Sequence, residues 1–244
     1  MNILISGGTS GVGKAVAKSF AFGDNNITLL GRNEDRAQKA VNDLKDLTGN
    51  QNIDYPLGDL AVESENKKVA EEYVQDHDVL DVLVNSAGVI PKTAQDNITK
   101  NIQSHYWLTH NLVSLLKKSE NPNVFLITGA PQIVKYGPIN EWQFNALFKG
   151  VWLLTHKTLL VTLMANELAA DNIKVNAVFP GEVKSELMKW TQKVTNEDVV
   201  AIKNIMDSKT SVTGQFFDNY GQLIPLNERK YSVKKARKAL NKYL

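Results

Sequence analysis

Apolar residues in this chain fall into two patterns: short β-branched clusters, and longer stretches in which they recur every three or four positions. The clusters predict strands at Ile3–Ile5, Ile27–Leu30, Ile53–Leu57, Val79–Val84, Val124–Ile127, Ile173–Val178 and Gln215–Phe217. The stretches predict helices at Lys14–Phe22, Glu34–Leu47, Glu63–Gln75, Ile98–Lys118 and Trp142–Ala170. Several strands are unbroken apolar runs, as expected where both faces of a sheet are covered. Alternation of strand and helix implies parallel pairing through right-handed crossovers. The predicted architecture is α/β, a single-domain Rossmann-type doubly wound parallel sheet of about seven strands with helices on both faces. It spans residues 1–244, and ligand is expected beyond the carboxyl ends of the strands.

The helix predicted over Trp142–Ala170 is apolar on more than one side. Val151, Leu154, Val161, Met164 and Leu168 mark one stripe, and Trp152, Leu159 and Leu163 lie off it. Such a helix is either fully buried or covered on one side by a partner subunit. The second alternative is the expectation: a homodimer or homotetramer formed through the Ile98–Lys118 and Trp142–Ala170 helices.

Composition narrows the class. The 244 residues are 43% apolar, carry a net charge of +2, and include 7 prolines and 15 glycines that mark no linker. A net charge this small gives no global attraction to nucleic acid. With no cysteine there is no disulfide framework, thiolate nucleophile or cysteine metal site, and the histidines show no metal-ligand spacing. The first strand starts beside Met1, and no apolar stretch is long enough for a membrane span, so a soluble cytoplasmic protein is expected. The segment 229–244 is basic, with Arg229, Lys230, Lys234, Lys235, Arg237, Lys238 and Lys242. Its apolar Val233, Ala236, Leu240 and Tyr243 recur at helical spacing, which predicts a terminal helix docked on the body with a solvated charged face.

The turn between the first strand and helix carries the chemistry: Ser6-Gly7-Gly8-Thr9-Ser10-Gly11-Val12-Gly13. Glycine there permits a tight turn and lets the backbone approach a pyrophosphate, while the first amides of the following helix favour an anion. The second strand ends Leu30-Gly31-Arg32-Asn33, with no acid to accept from a ribose hydroxyl. Arg32 offers a planar fork of donors to a ribose phosphate, and Lys14 adds a second positive charge, so NADP(H) is preferred over NAD(H).

These residues resemble the short-chain dehydrogenase/reductase family over essentially the whole chain. Ser6-Gly7-x-x-x-Gly11-Val12-Gly13 is similar to the family's Thr-Gly-x-x-x-Gly-x-Gly turn, and Gly58-Asp59-Leu60 to its adenine-contacting Asp-Leu. Asn85-Ser86-Ala87-Gly88 resembles the Asn-Asn-Ala-Gly segment that braces the sheet beside the cofactor. The stretch from Asn101 to Thr109 resembles the helix that opens with the catalytic-site asparagine. The run from Val175 to Ser185 is similar to the Pro-Gly segment, placing Pro180, Gly181, Val183 and Ser185 near the nicotinamide carboxamide. Gly214-Gln215-Phe216-Phe217 resembles the retinol-dehydrogenase-like branch. The resemblance implies a cofactor set of Gly7, Ser10, Gly11, Val12, Gly13, Arg32, Asp59, Leu60, Asn85, Ala87, Gly88, Pro180, Gly181, Val183 and Ser185.

It also implies hydride transfer to or from a carbonyl or alcohol carbon of a small-molecule substrate. In the family a tyrosine moves the proton, a lysine four residues later lowers its pKa, and a serine holds the substrate oxygen. This chain departs from that pattern. The serine position falls on Gly129, with Thr128 one residue off. Counting back from Pro180-Gly181 without gaps puts Gly150 and Leu154 at the tyrosine and lysine positions. Allowing about one and a half extra helical turns gives Asn145 and Lys149 instead, the register preferred here because it keeps the lysine. The expected catalytic residues are then Asn101 and Lys149, with Tyr136 on the following loop and His105 as packing residues. The expected function is an NADP(H)-dependent oxidoreductase with non-standard proton delivery; a cofactor-binding regulatory or structural protein of the same fold is the alternative.

Overall fold

A computed structural model describes residues 1–244. Parallel strands β1 (Asn2–Ser6), β2 (Asn26–Leu30), β3 (Ile53–Asp54), β4 (Val82–Asn85), β5 (Asn123–Ile127), β6 (Lys174–Val178) and β7 (Phe216–Phe217) are joined by antiparallel β8 (Leu223–Ile224). Their spatial order is β3-β2-β1-β4-β5-β6-β7-β8. The chain winds outward from β1 to β3, then crosses back to β4 and winds the other way. That reversal opens a crevice between the carboxyl ends of β1 and β4, where a doubly wound sheet binds its ligand.

Side-chain alternation builds a core on each face of the sheet. Leu4, Leu83, Val124, Leu126 and Val175 point to one side, under α3 (Glu63–Asp76) and later helices. Ile3, Ile5, Val82, Val84 and Phe125 point to the other, under α1 (Gly11–Ala21) and α2 (Glu34–Thr48). Asn33 caps α2 through its side chain, which accepts from the Arg36 amide at 2.9 Å, so the end of β2 leads directly into a helix start.

The third strand is shorter than its apolar run, because Pro56 has no amide to offer the ladder and only Leu57 regains a bridge, to Gly31. The predicted Ile98–Lys118 helix divides into α4 (Ala94–Ile98), a π turn (Thr99–Gln103), α5 (Ser104–Asn111) and α6 (Val113–Leu116). Its interior holds buried Asn97, Asn101 and Ser104, whose side chains seek partners along and across the helix. Two short helices, α7 (Pro131–Tyr136) and α9 (Ala201–Asp207), have no periodic signal long enough to read.

The long helix α8 (Ala146–Glu167) is continuous. Its two-sided apolar pattern is met within the chain: one side lies against β6 and the sheet, the other against α10 (Val233–Leu240), the basic segment near the end of the sequence. Ala236, Ala239 and Leu240 of α10 are buried, and Tyr243 meets Trp152 edge-on at 5.8 Å between ring centres. Arg237 donates to Asn166 at 3.0 Å, so part of the charged face is also used. Burial of α8 therefore requires no partner subunit, and the expected homodimer or homotetramer through this helix loses its packing argument. No helix is long and apolar enough to cross a membrane.

Candidate functional site

The glycine turn is drawn tightly against the ends of β2 and β4. Gly7 has φ +67, and a Cβ there would stand 2.8 Å from the Cα of Ala87. Its amide donates to Leu30 O at 2.8 Å, while Ser6 Oγ accepts from the Ser86 and Ala87 amides at 3.2 Å. A Cβ on Gly13 would run into the Gly7 carbonyl. The turn and the first coil of α1 thus occupy space that no side chain can share. Ser10 starts α1 without a side-chain cap bond, and the first turn carries no acid. The opening amides of α1 are left to an anion, and the residues present fit the pyrophosphate of a dinucleotide.

Arg32 is exposed at the end of β2, with its guanidinium 3.3 Å from the Asp59 carboxylate in the loop after β3. One arm of the fork faces Asp59 and the rest is open to solvent. Lys14, on α1, is held 2.6 Å from Asp43 on α2. The contact holds the Asp43 carboxyl below its usual pKa, through hydrogen bonds from Lys14 and then Lys39. Leu60, after Asp59, is buried in the core on one face of the sheet.

The segment after β4 is fixed from below. Asn85 donates to Thr109 at 3.0 Å, and His105 Nε2 lies 2.5 Å from Ala87 O. Burial, followed by the charge of Lys157, pushes the His105 pKa well below its ordinary value. The ring is neutral, and its bond to the Ala87 carbonyl makes it a brace. Asn101, in the π turn, accepts from the Val89 amide at 3.0 Å and donates to Val89 O and Asn97 Oδ1 at 3.1 Å. Asn97 in turn donates to the Lys149 carbonyl at 3.0 Å. These amides tie Gly88–Val89 to the start of α8; Asn101 spends its polar atoms on that framework.

The Pro180–Ser185 segment closes over the same crevice. Buried Pro180 and Val183 anchor it, and the space beside Gly11 is filled by Ser185, 2.9 Å from where a Cβ would lie. Thr191 holds the loop by exchanging bonds with Ser185 Oγ and Ser185 O, both at 2.9 Å. Glu186 reaches Arg36 at 3.1 Å and Asp198 reaches Lys18 at 2.7 Å. The loop is thereby fastened to the last turn of α1 and the start of α2.

The β5–α8 wall has a different composition. Gly129 follows β5, and a Cβ on it would lie 2.6 Å from a Leu154 methyl. Gly150, one turn before Leu154, faces open space. The helix α8 is uninterrupted, and Leu154 is turned toward Gly129. Lys149 is rotated about 100° from Gly150. It is half-buried, and its ammonium donates to Lys92 O at 2.5 Å. Asn145 caps α8, accepting from the Phe148 amide at 3.0 Å. Tyr136 points into solvent at the end of α7. Nearby, Ala130, Pro131, Gln132, Phe179, Gly181 and Glu182, with Asp218 and Asn219, line a cavity of about 510 Å³.

Sequence reasoning passed over Lys157. It lies one turn beyond Leu154 on the same face of α8, only 7% exposed, with no hydrogen-bond or ion-pair partner. Burial lowers its pKa to about 7. The signal was available: a lysine at a position where both faces of a helix are apolar.

Comparison with known proteins agrees with this framework. The short chain dehydrogenase family profile matches residues 1–137, more than half of the chain. The 3-oxoacyl-(acyl-carrier-protein) reductase of Chlamydia pneumoniae is 23% identical over 233 residues, covering 86% of this chain and 90% of that protein. Dehydrogenase/reductase SDR family member 12 of Bos taurus is 31% identical over 139 residues, 54% of this chain and 44% of that longer protein. Among solved structures, a short chain dehydrogenase of Escherichia coli complexed with NADPH superposes with TM-score 0.72 at 21% identity, covering 89% of this chain and 95% of the other. L-sorbose reductase of Gluconobacter frateurii, complexed with NADPH and L-sorbose, gives TM-score 0.63 at 23% identity, over 74% and 68%. Fold, turn geometry and family profile converge: this chain belongs to the short chain dehydrogenase family.

Proposed function

We propose that this protein is an NADP(H)-dependent oxidoreductase acting on a carbonyl or alcohol, with proton delivery that differs from the family's tyrosine route. The observation that carries the reading is the glycine turn, whose Gly7 and Gly13 leave room only for backbone and which opens α1 without a side-chain cap on its first amides. In this reading the first turn of α1, through Ser10, Gly11, Val12 and Gly13, binds the pyrophosphate. Arg32 supplies the ribose-phosphate contact and Lys14 reinforces the positive field. Asp59 and Leu60 flank the adenine, and Asn85, Ala87 and Gly88 form the floor. Pro180, Gly181, Val183 and Ser185 enclose the nicotinamide end. A bound nicotinamide cofactor supplies the hydride or accepts it.

The residues of this chain set what accompanies that transfer. Gly129, Gly150 and Leu154 offer no side-chain proton. Lys157, one turn further along α8 from Leu154, is buried, and we assign the mobile proton to it in place of Lys149. Neutral Lys157 accepts a proton and its ammonium returns one near pH 7, the range in which a general acid–base is most effective. A second reading, cofactor binding without dehydrogenase chemistry, draws support from the apolar Leu154–Gly129 contact. Incubating the protein with NADPH and a panel of ketones, aldehydes and quinones, and following nicotinamide absorbance, separates the two. Turnover that Lys157→Met slows, with a changed pH profile, is expected; saturable binding with no turnover across the panel supports the second reading.

A further inference from the structure

Four large apolar side chains stand out of the surface within one short stretch around the start of α8: Tyr136 is 74% exposed, Trp142 60%, Phe144 72% and Leu147 68%. They form one patch. Phe148 packs at a tilt against Phe144 at 4.3 Å and meets Trp142 edge-on at 5.9 Å between ring centres, while Trp142 and Phe144 remain largely exposed. Contiguous exposed apolar groups of this kind are uncommon on a lone domain and mark a surface that meets something else.

The charges around the patch decide what that is. Lys135 lies over the Tyr136 ring at 5.3 Å, the Lys149 ammonium is held on the Lys92 carbonyl, and Lys92 itself adds a third lysine to this stretch of surface. The acids nearby are already engaged. Asp96 is paired with Lys100 at 2.8 Å and accepts from the Lys92 and Thr93 amides, while Glu141 is held by Lys242 at 2.9 Å and Tyr243 at 2.8 Å. A second copy of this chain, docked on the same patch by two-fold symmetry, would bring lysine rims toward one another. The adjoining face of α8 is already covered by α10. An anionic lipid surface meets both requirements: headgroups attract the lysines, and rings that are apolar with a polar edge settle at the bilayer interface.

We propose that the Tyr136–Phe148 patch docks this protein peripherally on anionic phospholipid bilayers, with no segment spanning them. The cavity is lined in part by Ala130–Gln132, at the start of the same α7 that ends in Tyr136.

The test is sedimentation of the full chain with vesicles of phosphatidylglycerol and phosphatidylcholine in equal parts, against pure phosphatidylcholine. Binding to the anionic vesicles is expected, weakening as salt is raised. The triple variant Trp142→Ser, Phe144→Ser, Leu147→Ser is expected to lose about tenfold or more in partitioning, and Lys92→Glu with Lys135→Glu a similar factor. Both should keep the wild-type NADPH affinity and melting temperature, because these side chains support neither the glycine turn nor the core. Failure of the wild type to bind anionic vesicles overturns the proposal, as does equal partitioning of the triple variant. A wild-type dimer in light scattering that the triple variant dissociates also overturns it, since the patch then serves a second copy. None of these outcomes depends on NADPH binding or turnover, so the proposed oxidoreductase function stands or falls separately.

Discussion

The crevice has two walls made to different standards. The amino-terminal wall, from β1 through the segment after β4, is built of close backbone contacts that leave no room for a side chain at Gly7 or Gly13. Gly7 presses on Ala87, Gly13 on Gly7, and Ser6 is shared by two amides. The carboxyl-terminal wall, β5 against α8, keeps the same backbone path but is lined by Gly129, Gly150 and Leu154. A scaffold can therefore retain its ligand cradle while the side chains that act on the ligand change. Backbone geometry is distributed over many mutually supporting contacts, whereas acid–base chemistry rests on two or three exposed side chains.

The sharpest break of this contrast is Gly13→Val. Its Cβ must displace the Gly7 carbonyl, so saturable NADPH binding should vanish in a fluorescence titration. Binding retained at wild-type strength would mean that the cradle is not the site.

Lys157→Met probes the other wall. The lysine is charged in the unfolded chain up to about pH 10.5, but in the fold only up to about 7. Between those values the unfolded state binds the extra proton, so wild-type stability rises with pH across that window, and the full penalty is present below it. Removing the amine should raise unfolding free energy by on the order of 4–5 kcal/mol at pH 6, with the gain fading toward pH 10. Urea titrations at the two pH values check this; a gain independent of pH would place the lysine in water. His156 acts in the same sense in acid. Burial lowers its pKa to about 4, so stability should fall further as pH drops from about 6.5 toward that value.

Restoring chemistry to the β5–α8 wall tests whether its side chains are the limiting element. Gly150 has open space for a tyrosine, and Leu154→Lys also frees the volume beside Gly129. The combined Gly129→Ser, Gly150→Tyr, Leu154→Lys variant should raise NADPH-dependent ketone reduction about a hundredfold, the scale of one general acid. An unchanged rate in a folded, NADPH-binding variant would locate the deficit elsewhere. The smallest effect falls at the rim: Arg32→Ala should weaken NADPH by about tenfold while leaving NADH nearly unchanged, one charge-assisted contact to a phosphate. Equal losses for both cofactors would remove Arg32 from the selection.

The amino-terminal wall was legible in the sequence because its constraints are local. A strand, three glycines and a helix start follow one another within a few residues, and Gly7 and Gly13 are required by neighbours one strand away or close in the chain. The carboxyl-terminal wall was harder to read. Choosing between Lys149 and Leu154 depends on whether α8 contains an insertion, and no periodic pattern reveals that when both faces of the helix are apolar. Docking of residues 229–244 on the body was legible, but the element they dock on was not. A basic amphipathic segment looks alike whichever element of its own chain it docks on, and only the Tyr243–Trp152 and Arg237–Asn166 contacts identify the partner as α8. Lys157 went unnoticed because a lysine is ordinarily a surface residue.

The central claim is that a complete cradle for a phosphorylated nicotinamide dinucleotide persists beside an altered catalytic wall. Calorimetric titration of the unmodified protein with NADPH and, separately, NADH tests it most directly. The account predicts one saturable site that takes NADPH more tightly than NADH. Absence of saturable heat with both, or tighter binding of NADH, would contradict it.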